Sequence, residues 1–163
     1  MKELERLYRE IQPKIYAFFY VKTSNKAVAE DLTQDVFYEA LKGIKSFKGH
    51  STMKTWLFSI ARNILFKYYR SKKYRNQLTK ELKQEQIEFA KSPEQLTVLQ
   101  DEAKQLQEKI EALNELQREI VLLRIYGELS FKEIGELLQK SENYARVTFH
   151  RTKLKLQLEM EEK

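Results

Sequence analysis

Asn143, Arg146, Val147, His150, Arg151 and Lys153 crowd one side of a stretch that carries no acidic side chain from Asn143 to Lys155. Ala145, Phe149, Thr152 and Leu156, at i, i+4, i+7 and i+11, give the same stretch an inward helical face. The chemistry this pattern offers is recognition. Arg can take guanine bidentately, Asn can take adenine, and a helix about 10–12 Å across fits the major groove of B-DNA. A second, longer cationic tract lies upstream. Between Glu39 and Glu81 there is no acid, while Lys42, Lys45, Lys48, Lys54, Arg62, Lys67, Arg70, Lys72, Lys73 and Arg75 fall there. A solvated surface usually mixes signs, so this tract points to a polyanionic partner, nucleic acid ahead of an anionic membrane or mere solubility.

Little is left for bond-making chemistry. The 163 residues include no Cys and two His, with no Gly-rich phosphate loop and no metal-ligand spacing. Neither a catalytic site, a cofactor nor a metal is expected. Charge is unevenly spread: residues 1–93 hold 19 Lys/Arg and 10 Asp/Glu (+9), and residues 94–163 hold 11 and 14 (−3), giving the chain's +6. No apolar run approaches the roughly 20 residues that span a bilayer. The opening "MKELERLYRE" is too charged for a secretory signal. A cytoplasmic protein with no membrane insertion of its own is the expectation.

The elements that must position these side chains read as helices, since four Gly and two Pro leave few breaks. Leu4, Leu7, Tyr8, Ile11, Ile15, Phe18 and Phe19 recur at helical spacing, with Pro13 placed to separate a short first piece or kink the helix. "TSN" at 23–25 offers caps for a helix over 26–41, with Ala29, Leu32, Val36 and Ala40 inward. After a loop at 42–52, a helix over roughly 53–72 turns Trp56, Leu57, Ile60, Ile64 and Leu65 inward. Residues 73–95 lose the apolar stripe and read as a linker, partly helical. A second helical unit follows at about 96–112, 115–126, 130–138 and 142–158. Gly127 is placed as a left-handed helix end, Ser130 with Glu133 as a capping box, and Ser141 as the last cap. The first helix of the final pair buries Ile134, Leu137 and Leu138. The fold class is therefore all-α: two small helical domains (1–72 and 96–163) joined by a linker (73–95), the C-terminal one containing a helix-turn-helix.

"LSFKEIGELLQKSENYARVTFHRTKLKL" (129–156) resembles the promoter-reading helix-turn-helix of RNA polymerase sigma factors. "AEDLTQDVFYEALKGIKSFKGHSTMKTWLFSIARNILFKYYR" (29–70) resembles their other signature, the polymerase-binding and minus-10 region. Two matches in this order are specific where the helix-turn-helix alone would not be. The short stretches before and between them point to the compact, two-domain extracytoplasmic-function (ECF) class of the sigma-70 family. The resemblance implies that Asp31, Gln34, Asp35 and Phe37 face core RNA polymerase. It implies that Phe47 and Asn63 line a pocket for an unstacked minus-10 base, shaped by Gly49, His50 and Ser51, with Lys48, Arg62, Lys67 and Arg70 on phosphates. It makes Arg146, Val147, His150 and Arg151 readers of the minus-35 duplex, beside Asn143, with Tyr144 and Lys153 as phosphate contacts. Core polymerase, promoter DNA and an anti-sigma factor are the implied partners. Trp56 is read as core; Phe58, Phe66, Tyr68 and Tyr69 cannot all be buried on one stripe, so some are left to touch DNA.

One residue departs from the pattern. The family commonly has Gly in the turn where this chain has Gln139. A left-handed non-Gly residue costs roughly 1–2 kcal/mol, so either the turn takes another geometry or the second helix sits at a different angle. Two other readings compete. A stand-alone repressor or activator would bind a palindromic duplex by itself, yet it leaves the acid-free N-terminal tract unexplained. A helical scaffold would use both charged faces for protein contacts only.

Overall fold

The computed structural model describes residues 2–82 and 98–161, all of the regular structure among them being helical. Helix α1 (Lys2–Thr23) is followed by α2 (Lys26–Gly43), a 3-10 turn (Ile44–Ser46) and α3 (Met53–Leu82). The second domain contains α4 (Val98–Glu111), α5 (Glu115–Ile125), α6 (Phe131–Leu138) and α7 (Glu142–Glu161). Residues 83–97, most of the expected linker, lie outside the described residues.

Local sequence explains where the helices start. Asn25 accepts from the Val28 amide at 3.1 Å and Asn114 from the Gln117 amide at 2.8 Å, each taking up an orphan donor. Ser130 and Glu133 form the expected reciprocal box, at 3.1 and 2.9 Å, and Ser141 caps α7 through the Tyr144 amide. Pro13 neither ends nor splits α1, which runs on as one helix. Pro13 and Arg9, whose carbonyl loses its i+4 partner, are both exposed, so water can satisfy that carbonyl. Helix α3 likewise continues past 72 to Leu82.

Ile11, Ile15, Phe18 and Phe19 of α1 meet Ala29, Leu32, Val36 and Ala40 of α2 and Leu57, Phe58, Ala61 and Leu65 of α3. Ile120–Leu123, Leu129, Ile134, Ala145, Phe149 and Leu156 fill the second domain, and the two sets join into one buried cluster. Phe58 is the joint. Its ring packs edge-on against Phe18 at 5.8 Å, and a Cβ on Gly127 would come within 3.0 Å of it. The inward stripe of α3 is thus wider than expected: Phe58 is fully buried while Ile60 and Ile64 are half-buried, because α3 is covered from two sides. Leu137 and Leu138 are also only half-buried, and Ile134 alone of that trio is fully enclosed.

Two turns correct the glycine reading. The left-handed residue after α5 is Glu128 (φ 53°), not Gly127; Gly127 serves close approach, since its Cβ would lie 2.7 Å from the Leu123 carbonyl. Gln139 does adopt the left-handed conformation (φ 58°, ψ 44°), so the turn keeps its usual geometry without glycine. The small residue the turn needs is Gly135, where a Cβ would sit 2.6 Å from the Lys140 carbonyl. Amides of Gln139 and Lys140 both return to the Gly135 carbonyl, which ends α6 sharply.

Candidate functional site

The capped start of α7 and its four inward anchors fix which side chains it presents. Asn143, Arg146, His150, Arg151 and Lys153 are exposed, Tyr144 is 39% exposed and Val147 half-buried. Arg146 donates to Glu142, one turn earlier, at 3.0 Å, and its guanidinium lies 5.5 Å from the Phe131 ring centroid. His150 sits beside both Phe131 (5.7 Å) and Phe149 (5.4 Å), and Lys140 lies over the Tyr144 ring. The α7 face is therefore cationic, solvent-facing and partly pre-ordered.

On the first domain, Lys48, Gly49, His50, Asn63, Lys67 and Arg70 are exposed and Ser51 is half-buried. Gly49 takes φ +75°, a backbone state that favours glycine, and so sets the loop's path. Phe47 is half-buried against Trp56, rings 5.0 Å apart. Asn63 and Lys67 line a groove of about 760 Å³ with Tyr38, Trp56 and Tyr68. Gly49, His50 and Ser51 line another, of about 470 Å³, with Ser130, Lys132, Glu133 and Glu136. The loop and Asn63 thus face separate grooves in this form. Of the four unsorted aromatics, Phe58 is core, Tyr68 half-buried, and Phe66 and Tyr69 exposed.

Along α2, Asp31, Gln34 and Asp35 are exposed on one side, and Tyr38 (62%) and Leu41 (55%) extend it. Phe37 points the other way. It is 8% exposed, its ring edge-on to Tyr8 at 4.7 Å.

Arg62 does not stand open. Its Nε donates to Glu119 at 3.1 Å and its Nη1 to the Leu137 carbonyl at 3.4 Å, while Lys22 pairs with the other Glu119 oxygen. Lys54 donates to the Glu128 carbonyl at 2.8 Å, Lys14 pairs with Glu128, and Thr52 and Thr55 both donate to Glu133. These contacts run from cations and hydroxyls of the first domain to acceptors of the second, matching the +9 and −3 halves of the sequence. Burial would raise the Glu133 carboxyl, but the Ser130 amide and the Thr52, Thr55 and Ser130 hydroxyls together hold it below its ordinary range. Tyr69 is exposed as a residue, but its hydroxyl donates to the Lys22 carbonyl at 3.1 Å beside Glu119. Burial of that end, with the Glu119 carboxylate next, pushes the phenol up to about 12. Glu119, Lys22 and Phe131 escaped sequence reasoning; the acidic balance of the second half was the one signal pointing toward Glu119.

The chain is similar to known proteins along both of its domains. The Sigma-70 region 2 model matches residues 7–75 and the Sigma-70, region 4 model residues 103–156. The chain is 33% identical to RNA polymerase sigma factor YlaC of Bacillus subtilis (strain 168), over 96% of this chain and 91% of the relative. It is 32% identical to ECF RNA polymerase sigma factor SigM of the same organism, over 90% and 88%. A solved structure of the sigma factor RpoE in complex with the anti-sigma factor NepR, from Bartonella quintana, shares the fold with a TM-score of 0.72 at 24% identity, covering 98% of this chain and 97% of that one. The chain belongs to the sigma-70 family of RNA polymerase sigma factors, in its ECF class. It is a transcription initiation factor rather than an enzyme, binding core RNA polymerase and promoter DNA. Among the described residues, no helix is long and apolar enough to cross a membrane.

Proposed function

We propose a division of labour within this initiation factor. Residues 1–72 bind polymerase and open the minus-10 element, residues 96–163 read the minus-35 duplex, and 73–95 tether them. The observation that carries this reading is the separation, on one molecule, of an acidic α2 face from two cationic surfaces. Asp31, Gln34 and Asp35 meet core polymerase, where carboxylates steer encounter, and Phe37 supports that face from beneath. Lys48, Lys67 and Arg70 follow the backbone of the opened strand, and Arg62 joins them once Glu119 releases it. Asn63, with Trp56 and its neighbour Phe47, and the loop of Gly49, His50 and Ser51 face separate grooves in the unbound form. They come together around the unstacked base, whose stacking on an aromatic contributes about 1–3 kcal/mol. Arg146, Val147, His150 and Arg151, with Asn143, read bases in the upstream duplex, and Tyr144 and Lys153 hold its phosphates.

The protein works in the cytoplasm under the control of an anti-sigma factor, as the similarly folded RpoE–NepR complex suggests. Reversing charge at Asp31 and Asp35 together tests the assignment of α2. Capture of core polymerase should fall at least tenfold while the circular dichroism spectrum stays unchanged. Unaltered capture removes α2 from the interface.

A further inference from the structure

Phe131 opens α6, on the brace helix rather than the reading helix, and in sequence it looks like one more core residue. Its surroundings are unusual for that role. The Ser130–Glu133 box fixes its backbone, and its ring rests 5.6 Å from Phe149, which is 8% exposed and anchored in the core. The same ring lies 5.5 Å from the Arg146 guanidinium and 5.7 Å from the His150 ring, two side chains one turn apart on the exposed face of α7. Arg124 lies 4.2 Å from the centroid and is tied by Nη1 to the Leu129 carbonyl at 2.9 Å, so it is a fixed neighbour rather than a competitor for DNA. Glu142 holds Arg146 from a second direction.

An exposed arginine ordinarily samples many rotamers, and part of its hydrogen-bonding energy is lost in ordering it. A planar guanidinium held near an aromatic ring keeps its fork in one orientation and still offers its edge to a base. We propose that Phe131 is a specificity-determining positioning residue. Its ring, held by Phe149, pre-sets Arg146 and His150, so base preference at the pairs they read depends on a side chain outside the reading helix. The inference rests on α7 being the base-reading helix.

The test uses the full chain with core polymerase and promoter duplexes randomised across the minus-35 element, bound and unbound fractions being sequenced. F131L keeps an apolar side chain and removes the ring. It should reduce preference at the one or two pairs read by Arg146 and His150 about two- to fivefold, the range a surface cation–ring contact supplies. Preferences elsewhere and the salt dependence of binding should not change. F131Y should retain the wild-type preference, E142Q should reduce it at the Arg146 pair alone, and F131L added to R146A should cost nothing more at that pair. F131M replaces F131L if the leucine variant does not fold. Uniform loss across all sequences, or no loss in F131L, overturns the proposal. If R146A itself changes no base preference, the reading of α7 fails; if R146A does and F131L does not, the role of Phe131 alone fails.

Discussion

Single residues divide here into those that select and those that hold. Replacing Arg151 by Ala should cost about 1–3 kcal/mol and relax preference at one base pair, whereas Lys153→Ala should weaken every sequence alike and reduce the salt slope by about one. Binding isotherms at several salt concentrations separate the two, and equal effects on all promoters would contradict the assignment. Glu133 belongs to the holding class. Its carboxyl sits below the ordinary 4.5, so its contribution is fully present above that value and is lost as pH falls through its lower folded value. Gln can still close the capping box, so Glu133→Gln removes the charge on the bonds accepted from Thr52 and Thr55. It should lower stability at neutral pH by about 1 kcal/mol, the difference between a charged and a neutral acceptor, and flatten the decline below pH 4.5. Thermal melts between pH 7 and 3 that run parallel for both proteins would refute this. The sequence displayed Arg146 and Glu133 openly, through charge polarity and a capping motif. It could not display what Phe37 and Phe131 touch, since an apolar residue at helical spacing looks the same whether it backs a core or a charged side chain.

Helices were legible where period and cap coincide, as at Asn25, Ser130 and Ser141, each of which does cap its helix. Turns were less so. Gly127 and Gln139 were both judged by backbone freedom, yet close approach decides at Gly127, and Gln139 stays left-handed because two amides converge on the Gly135 carbonyl. Gly135→Ala should therefore destabilise the helix-turn-helix by about 1–3 kcal/mol, the usual cost of forcing extra atoms into a filled site. Gln139→Gly should stabilise it by no more than about 1 kcal/mol, net of the added freedom of the unfolded chain. Chemical denaturation of both variants measures the pair, and a neutral Gly135→Ala would show that the turn is looser than its distances indicate.

At the scale of the whole molecule, the opposite charges of the two halves close the chain upon itself. Glu119, 7% exposed, takes both Lys22 and Arg62, so Arg62 cannot serve a phosphate while that contact persists. Glu119→Gln should expand the unbound protein, and added salt should expand the wild type toward it; an unchanged radius of gyration in solution scattering would deny the contact any role in closure. Nothing in the sequence alone paired residues 22 and 62 with 119, because ion pairs between domains leave no periodic trace. The most direct measurement of the division of labour is run-off transcription by core polymerase plus this chain, on one promoter altered separately at its minus-10 and minus-35 elements. Combining Asn63→Ala with the altered minus-10 element, and Arg151→Ala with the altered minus-35 element, should in each case cost little beyond the single changes, while the crossed combinations multiply. Multiplication in all four combinations would contradict the assignment of one element to each domain.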